Sequence, residues 1–324
     1  MLGHRHNRVV IRLRWRANPL CSRLRVPSPR WLVPADEVVA ALNAGRSIRL
    51  EGCAIVGSID LARVASPLVS DIRIHGCDFK DTFYASRPVT ISGVVSITGS
   101  QFAAVGLSSV RFTRPFEAVG CQFLSDTRFI ETAFDGGADF SICSFHEKPF
   151  VRIMTADYAL SLYYCNFSKG ADFSGSRVLG DLSISDIALT SGTLTFHRAS
   201  IGGTARLMVT LQRDPQVFGG SIDFSNATIG DLVISSGDRE NRSEYTGPPR
   251  WDLAADIFLK ESKINTRALH NVKFLKTVDL ADSRIRSVLK KTAQFTQVVG
   301  AWPVDTEFHS CFISYSSKDQ AFTE

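Results

Sequence analysis

The chain has 324 residues, room for two ordinary domains or one long repetitive one, because single cores stop growing beyond roughly 250–300 residues. Apolar residues make up 44% at a mean hydropathy of +0.03, enough for a core, yet no stretch approaches the ~18–20 uninterrupted apolar residues of a membrane helix. The net charge of +5 comes from eight Arg and no acid within residues 1–35; without them the balance is −3, which excludes a broad basic face for phosphates and leaves nucleic-acid binding to that tail alone.

Residues 1–33 form a basic tail holding Arg5, Arg8, Arg12, Arg14, Arg16, Arg23, Arg25 and Arg30. It lacks the apolar core of a secretion signal, so the cytoplasm is the expected compartment. An electrostatic arm, a disordered segment and an upstream mis-chosen start codon all account for it. A capping helix is expected within 34–47, where DEVVAALNA sets Val38, Ala41 and Leu42 on one face. Asp36 and Glu37 sit at its positive first turn and Gly45 is its stop.

From residue 48 the pattern changes to a short repeat. Ile97, Phe102, Leu107 and Phe112 recur every five positions, and Phe123, Phe129, Phe134, Phe140, Phe145 and Phe150 follow at steps of five or six. Neither an amphipathic helix nor a simple alternating strand gives this spacing. Two positions before many of the large residues stands a small one: Cys121, Thr127, Thr132, Ala138, Cys143, Cys165, Ala171 or Ser176. A longer register is superposed, because Phe123, Phe145, Phe167 and Leu189 lie 22 residues apart, as do Cys121, Cys143 and Cys165. Side chains 22 apart then stack on successive coils.

Near-copies of one unit mark the repeat: IDLAR (59–63), CDFKD (77–81), ADFSI (138–142), ADFSG (171–175), IDFSN (222–226) and VDLAD (278–282). These resemble the pentapeptide-repeat family, over about residues 48–235 with weaker copies to 286. The resemblance implies an all-β, right-handed, four-sided β-helix spanning 48–286, with four units per coil. Its large residues form inward ladders (Phe102, Phe112, Phe123, Phe129, Phe134, Phe140, Phe145, Phe167 and Phe173), with Cys121, Cys143 and Cys165 as buried packing thiols beside them. Rungs about 4.8 Å apart would make residues 48–235 a rod roughly 40 Å long. Two polar stretches interrupt it: 213–220 with Pro215, and 237–250 with Pro248 and Pro249, which cannot join a ladder. They read as loops, either tolerated insertions or binding segments.

A linker over 287–306, with Trp302 and Pro303, leads to residues 307–324, EFHSCFISYSSKDQAFTE. FISYS (312–316) with Asp319 resembles the opening strand and loop of a Toll/interleukin-1 receptor (TIR) domain, here an incomplete α/β unit. The resemblance implies TIR–TIR signalling or cleavage of NAD as substrate, with Tyr315, Ser316 and Ser317 bordering the nicotinamide site. The family's catalytic Glu has no counterpart, so no catalytic residue is expected in this chain.

Other chemistries find little footing. There is no C-x₂₋₄-C pair, HExxH, GxSxG, GxxxxGK[ST] or GxGxxG in the sequence, so no metal and no bound cofactor is expected. Cys53 and Cys77 read as packing thiols like the other three, and Asp139 and Asp172 as solvated or turn-bonding face residues. The expected function is a scaffold, sensor or oligomerisation module that presents a TIR domain for signalling or NAD cleavage, in a setting of antiphage defence. It implies a protein partner or self-association. The alternatives are a DNA-mimicking rod acting on a topoisomerase and a purely structural protein-binding β-helix; a standalone hydrolase or transferase is disfavoured by the missing motifs.

Overall fold

A computed structural model describes residues 31–209, 220–236, 251–253 and 255–300. Strands, most of them two to four residues long and the longest 17, wind into a parallel β-solenoid. Its pitch can be followed down one ladder of Cα partners: Ile48, Ile72, Val95, Phe116, Ala138, Leu160, Leu182, Ala205, Leu232, Arg267 and Val288. That makes about ten turns, and at about 4.8 Å per rung a stack roughly 50 Å long. Steps run from 21 to 24 residues as far as Ala205, then widen to 27 and 35 before returning to 21. The two wide turns contain the expected loops, which apart from Gly220 lie outside the described residues.

Each regular turn contributes to four ladders. On the second, Ile55, Phe79, Phe102, Phe123, Phe145, Phe167 and Leu189 are in register. The third carries Ala171, Leu194, Ile222, Ile257 and Val278, and the fourth Phe112, Phe134, Ala156, Val178, Ile201, Ile229 and Ile264. All are buried. A stack of identical positions buries a continuous core that no single turn could bury alone.

The corners explain the tolerance for so short a repeat. One corner places Ser109, Glu131, Ile153, Gly175, Arg198, Asn226, Glu261 and Asp282 in the left-handed region on successive turns. Another carries Gly76, Gly99 and Gly120, then Ile142, Tyr164 and Asp186. Left-handed backbone costs a residue with a Cβ about 1–2 kcal/mol, so at these positions the coil imposes its geometry on the side chains. At a third corner the opposite holds: a Cβ on Gly180 would overlap the Tyr158 carbonyl oxygen of the turn before.

The N-terminal end is closed. Strand β1 (Trp31–Pro34) runs into helix α1 (Ala35–Asn43), which is followed by β2 (Ile48–Glu51) and β3 (Cys53–Val56). Ala35, Val38, Val39 and Leu42 face the core with Ala41 half-buried, and the Gly45 N–H closes the helix on the Leu42 carbonyl at 2.9 Å. Asn43 pins α1 to the first turn, its Nδ2 donating to the Arg63 carbonyl and its Oδ1 accepting from the Ala65 N–H, each at 3.0 Å.

Two boundaries differ from the sequence reading. Residues 31–33, assigned to the tail, are strand, because β1 pairs in parallel with β3, Trp31 opposite Cys53. Much of the expected linker is strand too: Arg284–Val299 pairs with Lys263–Asp279, which extends the solenoid by a rung. This strand holds one copy of the small-x-large unit, AQFTQ (293–297), among basic and polar residues, and Phe295 stacks on Phe274 at 4.9 Å. The rest of the tail and residues 301–324 lie outside the described residues.

Candidate functional site

The most ordered feature is the interior. Along the second ladder the rings lie flat on one another: Phe102 on Phe123 at 5.4 Å between centroids, Phe123 on Phe145 at 4.7 Å, Phe145 on Phe167 at 5.1 Å, all within 11° of parallel. Phe112 and Phe134 form a separate stack at 5.2 Å. Phe173 begins a third, with Phe196 and Phe224. Phe129 and Phe140 meet edge-on at 5.3 Å. Phe150 departs from the spacing: it lies half-buried with the Arg152 guanidinium 5.4 Å from its ring centroid, and Val151 takes the buried position.

The small inner positions have a common chemistry. A buried hydroxyl or thiol must find an acceptor, and at four of these positions it is a corner carbonyl of the preceding turn. Thr132 donates to Leu107 O at 2.5 Å, Cys143 to Ala118 O at 3.0 Å, Cys165 to Phe140 O at 2.6 Å and Ser176 to Val151 O at 2.9 Å. This is why Cys, Ser and Thr exchange freely at one position. Burial pushes the Cys165 thiol up to about 12, eased in part by a backbone hydrogen bond from Cys143, and pushes Cys143 well above its ordinary value. Neither is a ready nucleophile.

The aspartates of the repeat units are structural as well. Asp60, Asp172, Asp223 and Asp279 each accept the backbone N–H two residues on, at 2.8 to 3.0 Å, closing an Asx turn at the corner. Of the two expected roles Asp172 takes the turn-bonding one; it is buried rather than solvated and also pairs with Arg152. Burial alone would raise its carboxyl; the bonds from Ser174 and Arg152 outweigh that and hold it below the usual range. Asp60 behaves alike, with Ser86, Ala62 and Arg63 outweighing burial. Asp139 is half-buried and accepts from the Ser141 hydroxyl.

On the outside, charges neutralise one another across turns: Arg111 with Asp135, Lys169 with Glu147, Arg206 with Asp181. Among the described residues no group of three or more His, Cys, Asp or Glu could hold a metal ion, and no described helix is long and apolar enough to cross a membrane. One feature gave no sign in the sequence: Arg267 stands at an inward position between Leu232 and Val288 and is 2% exposed. The 35-residue turn before it obscures the repeat phase there. Tyr315, Ser316 and Ser317 lie outside the described residues.

No family model matches the chain, and no curated protein or solved structure matches it. The likeness to the pentapeptide-repeat and TIR families therefore rests on the motifs quoted above, with the parallel solenoid consistent with the first of them.

Proposed function

We propose that the chain is a binding and presenting scaffold of the pentapeptide-repeat type, whose solenoid receives a protein partner or a second copy and gathers the C-terminal TIR-like segments. One observation carries this reading: the repeat's chemically able residues are already engaged in holding the coil together. Thr132, Cys143, Cys165 and Ser176 donate to corner carbonyls, and the repeat's aspartates close Asx turns. A stack of packed turns suits a part that positions others, since clustering raises the effective concentration of whatever is attached. FISYS offers a single wall of a TIR pocket. NAD cleavage, and with it a role in antiphage defence, would need groups from later elements of such a domain.

Nicotinamide release tests this, measured for the 324-residue chain and for a longer chain carrying a complete TIR domain, each alone and cross-linked. No release from the first, and release from the second on clustering, is the expected result. Release by the 324-residue chain above a buffer control would overturn the scaffold reading, and an inactive clustered long chain would favour adaptor signalling. DNA mimicry is the weaker alternative, because a topoisomerase-directed rod needs a strongly acidic surface and here acids pair with Arg and Lys on adjacent turns. Inhibition in a DNA-supercoiling assay would restore it.

A further inference from the structure

The inner column beside the second ladder reads Cys53, Cys77, Ser100, Cys121, Cys143, Cys165 on successive turns. Its thiols differ in where they point. Cys143 and Cys165 donate to carbonyls at hydrogen-bond distance, and Cys121 approaches the Ile97 carbonyl at 3.6 Å. Cys53 and Cys77 face each other, Sγ to Sγ at 3.4 Å, both as free thiols. They join the first turn to the second, directly beneath β1.

We propose that Cys53 and Cys77 are a redox pair, which peroxide converts to a disulfide that staples the capped first turn to the second. In-register neighbours on adjacent parallel strands suit the Cα separation of a disulfide, about 4.4–6.8 Å. Cys53 is the attacking thiol, since it is 4% exposed and Cys77 is fully buried; its thiolate is favoured further by the hydrogen bond from Cys77. The Cys53 sulfur attacks one oxygen of hydrogen peroxide, the O–O bond breaks, and hydroxide leaves to be protonated to water, giving a sulfenic acid. The Cys77 sulfur then attacks the Cys53 sulfur, the S–O bond breaks and a second water leaves. Two thiols lose two electrons and two protons, and one peroxide becomes two waters. β1 is a four-residue strand at the edge of the described stack, and its fraying opens the Cys53 strand to peroxide and gives the staple its effect.

The test exposes the folded chain to hydrogen peroxide, quenches by alkylation in denaturant, and maps peptides without reduction. A Cys53–Cys77 linked peptide, two hydrogens lighter than the thiols and lost on adding dithiothreitol, is expected, with Cys121, Cys143 and Cys165 still alkylated. Amide exchange in α1 and β3 should slow several-fold on oxidation and recover on reduction. C77S keeps the fold, since Ser100 occupies the same column, and should show neither the link nor the change in exchange. Alkylation of both Cys53 and Cys77 after peroxide would overturn the proposal, as would linkage spread equally to Cys121 and Cys143, or a link that leaves exchange unchanged.

Discussion

Phe145 lies on Phe167 with ring centroids 5.1 Å apart and planes 5° from parallel, and the two are 22 residues apart in sequence. That distance along the chain is one turn, so a single aromatic pair ties the repeat length to the pitch. Phe145→Ala removes one ring from the middle of the ladder and opens a void between Phe123 and Phe167. It is expected to cost roughly 3–5 kcal/mol, and Phe145→Leu clearly less, because Leu189 occupies the same ladder unaided. Denaturant unfolding followed by far-UV circular dichroism gives both values, and equal losses would show that the ring is not packed.

Thr132 tests the inner small position. Val has the same shape, so Thr132→Val removes only the hydroxyl and leaves the Leu107 carbonyl buried without its 2.5 Å donor. A loss of about 1–3 kcal/mol is expected, whereas a neutral or stabilising change would mean that carbonyl has another partner.

The corner geometry predicts a gain. Ile153 has φ of 55° and is 57% exposed, so its side chain loses little if replaced. Asn226 holds the equivalent corner at φ 59°, and asparagine tolerates this region where a β-branched residue is strained. Ile153→Asn should raise stability by about 0.5–1 kcal/mol, read as a higher melting temperature. Gly180→Ala should do the reverse, because its Cβ would meet the Tyr158 carbonyl.

How much of this was legible depends on the residue. Phe123, Phe145 and Phe167 announce their stack because three consecutive turns keep a 22-residue length. Phe112 and Phe134 share that spacing, but their assignment to a different ladder from Phe123 needs the corner positions, which no single residue type marks. Phe150 misleads because the coil takes six residues from the second ladder to the next inward position, Phe123 to Phe129 and Phe145 to Val151, so an aromatic five residues on falls one short. Arg267 gives no sign because the 35-residue turn before it breaks the repeat phase, whereas the Arg284–Val299 strand shows one unit, AQFTQ (293–297), too isolated to mark a further coil. In Asp172 a turn-bonding role is legible beside a solvated one, but its burial is not, for its partner Arg152 is 20 residues away in sequence and adjacent only after coiling.

The same aspartate gives a pH dependence. Its carboxyl is held below the unfolded value of 3.8, so the folded state binds its proton less readily than the unfolded chain. The stability it contributes is complete above about pH 5 and is lost as pH falls through 3.8 toward the lower folded value. Asp60 acts in the same window. Acid titration of unfolding should show this loss, and Asp172→Asn should be less stable at neutral pH with a shallower acid slope. An unchanged slope would mean that the pair with Arg152 is not made in solution.

The central claim is that one turn of chain is one rung of a parallel stack, and spin-label distances measure it directly. Ser96, Glu117, Asp139, Ser161, Ser183 and Arg206 are successive outward partners on one ladder. With Cys21 and Cys311 replaced by Ser, labels would be attached at Ser96→Cys paired in turn with Ser161→Cys, Ser183→Cys and Arg206→Cys. The stack predicts mean separations rising by about 4.8 Å per rung, near 14, 19 and 24 Å. Separations that fail to grow with rung number would contradict the solenoid and the scaffold built on it.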